Sequence, residues 1–286
     1  MSNLSAFNGY QPTWCPGCGD WSIGIAIKTA LAQMGFTPSD LIVVFGIGCS
    51  GNMNDFLNAY AVHGLHGRGL ANAIGAKIAN HKLPVVVVAG DGDTYGEGGN
   101  HFLHACRGNH DITVIIHDNS VYGLTTGQVS PTAHQGAKSK STPYGLPEQP
   151  VRPLHIALTQ GASFVAQAFA GKVPQMIELI KQAINHRGFS VVNILQPCVT
   201  FNKLQTYQYY LQRTFDLDEN HNKTDLKSVL SFVQKAYEEE RFPLGVLYQV
   251  EKPVYTDFLQ VLKDSTLVDK EKDTKTVAKE LLKEFL

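Results

Sequence analysis

The sequence predicts an α/β fold, a mostly parallel sheet flanked by helices, that continues into a charged, mainly helical C-terminal extension. Three observations predict it. Short Val- and Ile-rich runs alternate with helix-like stretches through the first 200 residues. The residues with chemistry on them fall just beyond those runs, where parallel sheets bind ligands. Charge density changes abruptly: 22 of residues 1–212 are Asp, Glu, Lys or Arg, against 27 of residues 213–286. The expected division is therefore a ligand-binding α/β domain over 1–212 and an extension over 213–286.

Leu41–Phe45, Val85–Ala89, Ile112–Ile116 and Ser190–Leu195 are short and continuously apolar, as strands covered on both faces are. Helices are expected near Ile23–Met34, Leu70–Asn80, Asn100–Gly108 and Pro174–His186. Tyr122–Leu154 carries five prolines and little periodicity, the mark of a long functional loop. The C-terminal segment ends in Thr276-Val-Ala-Lys-Glu-Leu-Leu-Lys-Glu-Phe-Leu286, which reads as helix.

A net charge of -1 gives no electrostatic footprint for nucleic acid or an anionic membrane. The N-terminus does not read as an export signal, and apolar runs such as Leu83 to Ala89 are too short to span a bilayer. A cytoplasmic protein with reduced cysteines is expected, which leaves the thiols available to metals. Residues 1–212 are charged at less than half the usual ~25%, which points to a surface covered by another chain.

Gly90-Asp91-Gly92 follows one expected strand, and Asn119 stands 28 positions after Asp91 at the end of another. A carboxylate, an amide oxygen and the carbonyl of Val121 suit Mg2+, which takes oxygen ligands and shares them with phosphates. Glycines beside Asp91 let backbone N–H groups approach a diphosphate. Cys15, Cys18, Cys49 and Cys198 adjoin Gly or Pro and supply four thiolates, enough for either a structural zinc or a [4Fe–4S] cluster. Their spacing alone leans to zinc. Cys106, inside His-Phe-Leu-His-Ala-Cys-Arg, reads as a packing residue of a helix.

Taken together, Trp14-Cys15-Pro16-Gly17-Cys18-Gly19, Gly46-Ile47-Gly48-Cys49-Ser50, His63-Gly64-Leu65-His66-Gly67-Arg68, Gly90-Asp91-Gly92, His117-Asp118-Asn119, Tyr122-Gly123-Leu124-Thr125 and Gln196-Pro197-Cys198 resemble the beta subunit of 2-oxoacid:ferredoxin oxidoreductases. The resemblance runs over roughly residues 10–210. It implies a thiamine-diphosphate-binding fold of the diphosphate-binding type. It also implies thiamine diphosphate contacts at Ile47, Gly48, Cys49, Ser50, His66, Gly92, Asp93, Gly123 and Leu124. Mg2+ would lie on Asp91, Asn119 and Val121, and a [4Fe–4S] cluster on Cys15, Cys18, Cys49 and Cys198.

The implied activity is coenzyme A-dependent oxidative decarboxylation of a 2-oxo acid, with electrons leaving through ferredoxin. The motifs stand closer to the 2-oxoglutarate or general 2-oxoacid branch than to pyruvate. Such oxidation releases two electrons; without a lipoamide, flavin or NAD motif they need a one-electron acceptor, which zinc is not. Asp118 departs from the Asn of many thiamine enzymes, and Thr126 from a common Lys near the substrate side. The glutamate that activates the aminopyrimidine has no candidate here: residues 1–147 contain one Glu, Glu97, beside the diphosphate end. It is expected from an obligate alpha subunit that bears the pyrimidine-binding domain, so no catalytic residue is assigned in this chain. The competing readings are a subunit of a non-oxidative thiamine decarboxylase or synthase with structural zinc, and a zinc-stabilised binding module.

Overall fold

A computed structural model describes residues 3–270 and 274–285. In chain order the elements are α1 (Gly19–Gln33), β1 (Ile42–Phe45), α2 (Met53–Phe56), β2 (Tyr60–His63), α3 (Gly69–Ala79), β3 (Val85–Gly90), α4 (Gly99–Gly108), β4 (Thr113–Asp118), β5 (Val121–Tyr122), β6 (Gln128–Val129), α5 (Pro153–Thr159), β7 (Phe164–Phe169), α6 (Val173–Asn185), β8 (Ser190–Leu195), α7 (Tyr207–Arg213), β9 (Thr214–Asp216), α8 (Leu226–Glu238), β10 (Phe242–Gln249) and α9 (Thr274–Lys283). The eight-stranded sheet runs β2-β1-β3-β4-β8-β7-β10-β9. β2 through β7 are mutually parallel in that order, and β10 joins β7 antiparallel.

The alternation of side chains along each strand divides the core in two. Val43, Phe45, Val86, Val88, Val192 and Ile194 meet α1 and α6 on one face. Val44, Val85, Val87, Val114, Ile116 and Val191 meet α4, α5 and α8 on the other. Both faces are covered, which is why the central strands read as unbroken Val/Ile runs. Cys106 packs in the second cluster beside Phe102 and Ala105, fully buried.

One expectation needs correction. The 213–286 segment is not simply a peripheral helical extension, because β9 and β10 lie in it and complete the sheet. Gly245 to Gln249 pair with Phe164 to Gln167 of β7, and Leu247 and Tyr248 belong to the core. High charge belongs to the exposed faces of this segment, not to the whole of it. Pro243 and Gly245 further disguise β10 as non-strand. The helical expectation holds for α8 and α9. On α9, Val277, Leu281 and Leu282 follow a helical spacing and are exposed, as is Phe285 just beyond the helix. Among the described residues no helix is long and apolar enough to cross a membrane.

Strand order reverses around β1: β2 lies on one side of it and β3 on the other. A crevice opens beyond the carboxyl ends at such a switch point. Register brings those ends level, with Phe45 opposite Val88, Gly90 opposite His117 and Asp118 opposite Leu195.

Candidate functional site

That crevice is lined by Ile47, Gly48, Cys49 and Ser50 after β1, by His66, by Gly90 to Asp93 after β3, and by Asn119 and Val121 to Thr125 after β4. The residues expected to touch the diphosphate and Mg2+ are thereby gathered into one concavity. Leu124 stands half-exposed at its rim. The chain leaves β3 through a π-helix, Gly92–Glu97, a form concentrated at functional sites. Gly92 is required there, because a Cβ would collide with the Tyr122 ring.

Asp93 organises the crevice mouth. Its Oδ1 accepts the backbone N–H of Gly67 at 2.8 Å and of Ile47 at 3.1 Å, and lies 2.6 Å from His66 Nδ1. One carboxylate thus ties the loops after β1 and β2 to its own. The guanidinium of Arg68, by contrast, lies 2.7 Å from His101 Nε2.

Asp91 is buried beneath the crevice. Its Oδ2 accepts the hydroxyls of Ser130 and of Thr132, the latter at 2.6 Å, and the carboxylate also receives the backbone N–H groups of Gly92 and Asn119. Thr132 further contacts Asp118 Oδ1 at 2.8 Å, and Asn193 donates to Asp118 Oδ2 at 3.1 Å while accepting the Tyr95 hydroxyl at 2.8 Å. None of the ion pairs among the described residues reaches Asp91 or Asp118. Two buried carboxyls without a protein cation suit a bound metal ion. Ser50 Oγ, buried at the same wall, has no hydrogen-bond partner among the described residues, and such a group calls for a ligand. A roomier cavity behind Asp118 and Thr132, lined also by Arg152, Tyr209 and Arg241, holds none of the residues assigned to a cofactor or metal from the sequence.

Burial raises the Asp91 carboxyl, with the donated hydrogen bonds opposing it. Burial, with the charge of Asp91 adding, pushes the Asp118 carboxyl up to about 7. A carboxyl that holds its proton more tightly when folded stabilises the fold fully below its unfolded value, and that contribution is lost as pH rises toward the folded value. For Asp118 this window runs from 3.8 to about 7. The chain without added cation is expected to lose thermal stability across that window, and added Mg2+ with thiamine diphosphate to flatten the slope. Calorimetric melting temperatures at a series of pH values check this; a slope indifferent to the additions contradicts it.

The four thiols come to one rim beside the crevice. A Cβ on Gly123 would lie 3.2 Å from Cys49 Sγ and 4.0 Å from Cys198 Sγ. Cys49 feels the charges of Cys198 and Cys15, and Cys18 that of Cys198. The Cys15–Cys18 turn closes through Cys18 N–H to Cys15 O at 3.0 Å, and Gly19 N–H reaches Pro197 O at 3.2 Å. Trp14 Nε1 donates to Cys49 O at 2.7 Å and Trp21 Nε1 to Cys15 O at 3.1 Å. Among the described residues no three His, Cys, Asp or Glu side chains close on a point suited to a single metal ion. A four-iron cluster is larger, and its thiolates stand farther apart than those of one zinc. Four thiols at one rim are a donor set that suits a [4Fe–4S] cluster. Burial foremost, then the Asp20 charge, pushes the Cys49 thiol up to about 12 and Cys18 higher still, so only a strongly cationic group would hold thiolates here.

Comparison with known proteins agrees with this geometry. Residues 46–194 match the family described as thiamine pyrophosphate enzyme, C-terminal TPP binding domain. Residues 198–264 match the family of the C-terminal part of the pyruvate ferredoxin oxidoreductase beta subunit. The chain is 43% identical to 2-oxoacid:ferredoxin oxidoreductase 1, subunit beta, of Aeropyrum pernix over 82% of this chain and 77% of that one. It is 38% identical to the 2-oxoacid:ferredoxin oxidoreductase subunit beta of a Sulfolobus species over 98% and 99%. The chain belongs to the 2-oxoacid:ferredoxin oxidoreductase beta-subunit family. Its fold also matches a solved structure, 2-oxoglutarate:ferredoxin oxidoreductase from Magnetococcus marinus with 2-oxoglutarate, coenzyme A and succinyl-CoA bound, at TM-score 0.90 and 37% identity, covering 98% of this chain and 97% of that one.

In this oxidoreductase beta subunit the structure adds roles that sequence reasoning did not assign. Asp20 is wholly buried, 2.6 Å from His117 Nδ1, and its other oxygen accepts the Cys18 thiol at 3.3 Å. Ser130 and Thr132 hold Asp91. Their hydroxyls are visible in the long loop, but nothing local says which carboxylate they meet. Gln196 links Asn119 to Cys18.

Proposed function

We propose that this chain binds thiamine diphosphate, Mg2+ and a [4Fe–4S] cluster and works as the beta subunit of a coenzyme A-dependent oxidoreductase. That enzyme decarboxylates a 2-oxo acid oxidatively and passes the electrons to ferredoxin. The carrying observation is that Cys49 and Gly123 belong to the crevice and to the thiol rim at once. Asp91, Asn119 and the Val121 carbonyl would hold Mg2+. Ile47 to Ser50, His66, Gly92, Asp93, Gly123 and Leu124 would hold the cofactor, and Cys15, Cys18, Cys49 and Cys198 the cluster. Bound there, the thiazolium supplies carbanion stabilisation and the cluster one-electron acceptance.

The chain's own part is orientation and exclusion. Ser50 Oγ offers a buried donor to a phosphate oxygen, and His66, fixed by Asp93, offers another at the mouth. Tyr122 packs over Gly92 and its hydroxyl reaches Glu97 at 3.2 Å, closing the diphosphate end. The Cys49 loop stands in the crevice wall and at the thiol rim, so a cluster held there would lie close to the thiamine.

Glu97 is engaged at that end by Tyr122 and His66, so the aminopyrimidine would be activated by a glutamate of the alpha subunit. The 2-oxoglutarate bound to the Magnetococcus relative favours a dicarboxylic 2-oxo acid over pyruvate. The purified chain alone is expected to give no turnover. Mixed with the alpha subunit, it should reduce ferredoxin with coenzyme A and 2-oxoglutarate, and less rapidly with pyruvate. Full turnover by this polypeptide alone would overturn the reading.

A further inference from the structure

The carbon-chemistry site and the thiol rim are joined by one buried side chain. Gln196, 1% exposed, follows β8, and its backbone N–H donates to Asp118 O at 2.8 Å. Its side chain lies between a proposed Mg2+ ligand and a proposed cluster ligand. Asn119 Nδ2 donates to Gln196 Oε1 at 3.0 Å, and Gln196 Nε2 donates to Cys18 Sγ at 3.3 Å.

The direction of these bonds is forced. Val121 N–H donates to Asn119 Oδ1 at 3.0 Å, so the other end of the Asn119 amide must be its NH2. That NH2 needs an acceptor, which turns Gln196 Oε1 toward it and leaves the Gln196 NH2 facing sulfur. The backbone is shaped around this side chain: a Cβ on Gly19 would stand 2.6 Å from Gln196 Cγ. Asn202 Nδ2 adds a bond to Asn119 O at 3.0 Å, holding the same strand end.

We propose that Gln196 is a positioning residue that couples the two sites, orienting Asn119 toward Mg2+ and donating an N–H···S hydrogen bond to the cluster ligand Cys18. The inference rests on the cofactor reading above. Hydrogen bonds to cluster sulfurs stabilise the more negative, reduced state and so raise the reduction potential. Partners behind a metal ligand fix its orientation and affinity. A fully satisfied buried network also selects one arrangement of the strand ends it joins.

Two variants separate the two roles in the assembled enzyme. Gln196→Glu keeps an oxygen for Asn119 but removes the donor to sulfur; Gln196→Leu removes both. An EPR-monitored redox titration is expected to show the cluster midpoint moved to lower potential in both. Calorimetric titration with thiamine diphosphate and Mg2+ should show affinity reduced about 10-fold or more in Gln196→Leu and close to wild type in Gln196→Glu. A role confined to folding would lower the yield of iron-loaded protein without moving the midpoint. An unmoved midpoint in Gln196→Glu overturns the proposal, even if Gln196→Leu does not fold. Wild-type enzyme that holds no cluster defeats the underlying reading instead, so the two failures are distinguishable.

Discussion

Asp91→Asn is expected to abolish thiamine diphosphate binding while leaving the fold at least as stable as before. The carboxylate lies buried with no cation paired to it among the described residues, and burial raises its pKa, so it disfavours the folded chain until a metal ion neutralises it. Asparagine removes the charge and keeps an oxygen for the Ser130 and Thr132 hydroxyls, which can rotate. Binding loses the anionic oxygen pair of Asp91 at the proposed metal position. Changes behind a metal ligand already cost roughly 10–100-fold in affinity, and loss of the ligand itself is expected to exceed that. Calorimetry with thiamine diphosphate and Mg2+ measures the first half, and a melting temperature the second. Wild-type affinity, or a variant melting well below the parent, would contradict the account.

Cys49→Ser carries the second large effect. Cys49 stands where the crevice wall and the thiol rim meet, with Gly123 against its sulfur. A hydroxyl replaces a soft thiolate with a poor iron ligand, so iron and sulfide should fall to a small fraction of wild type and ferredoxin reduction to background. Thiamine diphosphate affinity should change little. The loop's backbone stays anchored, because Trp14 bonds the Cys49 carbonyl and not its sulfur. A non-oxidative enzyme would behave otherwise: substrate-dependent CO2 release would continue at the wild-type rate.

Much of this is legible in the amino-acid order because the central strands are buried on both faces. β1, β3, β4 and β8 declare themselves as Val/Ile runs, and their ends carry Cys49, Asp91, Asn119 and Cys198. Parallel pairing then delivers those residues to one edge. The strands that escape a sequence reading lack that signal. All four residues of β2 are exposed at the sheet edge. β7 is buried throughout but carries Gln167, whose amide donates to Pro243 O across to β10. β10 itself contains Pro243, Gly245 and a register shift between Val246 and Tyr248.

Within the site, ligand-type residues beside glycine can be picked out one by one. Their supports cannot, because Asp20 finds His117 across 97 positions and Gln196 finds Cys18 across 178. Such pairings exist only after the sheet has formed. The charge-density boundary at 212 fails for a related reason. Composition reports how much of a segment faces water, while β10 is held by a face that does not.

In the proposed function, four sulfurs and one carboxylate–amide pair serve a single oxidative reaction at a common edge. Iron, zinc and acid-labile sulfide analysis of the chain, purified anaerobically with its alpha subunit, tests it most directly. About four irons and four sulfides per chain are expected, with an EPR signal that grows when 2-oxo acid is added. One zinc per chain and no sulfide would contradict it.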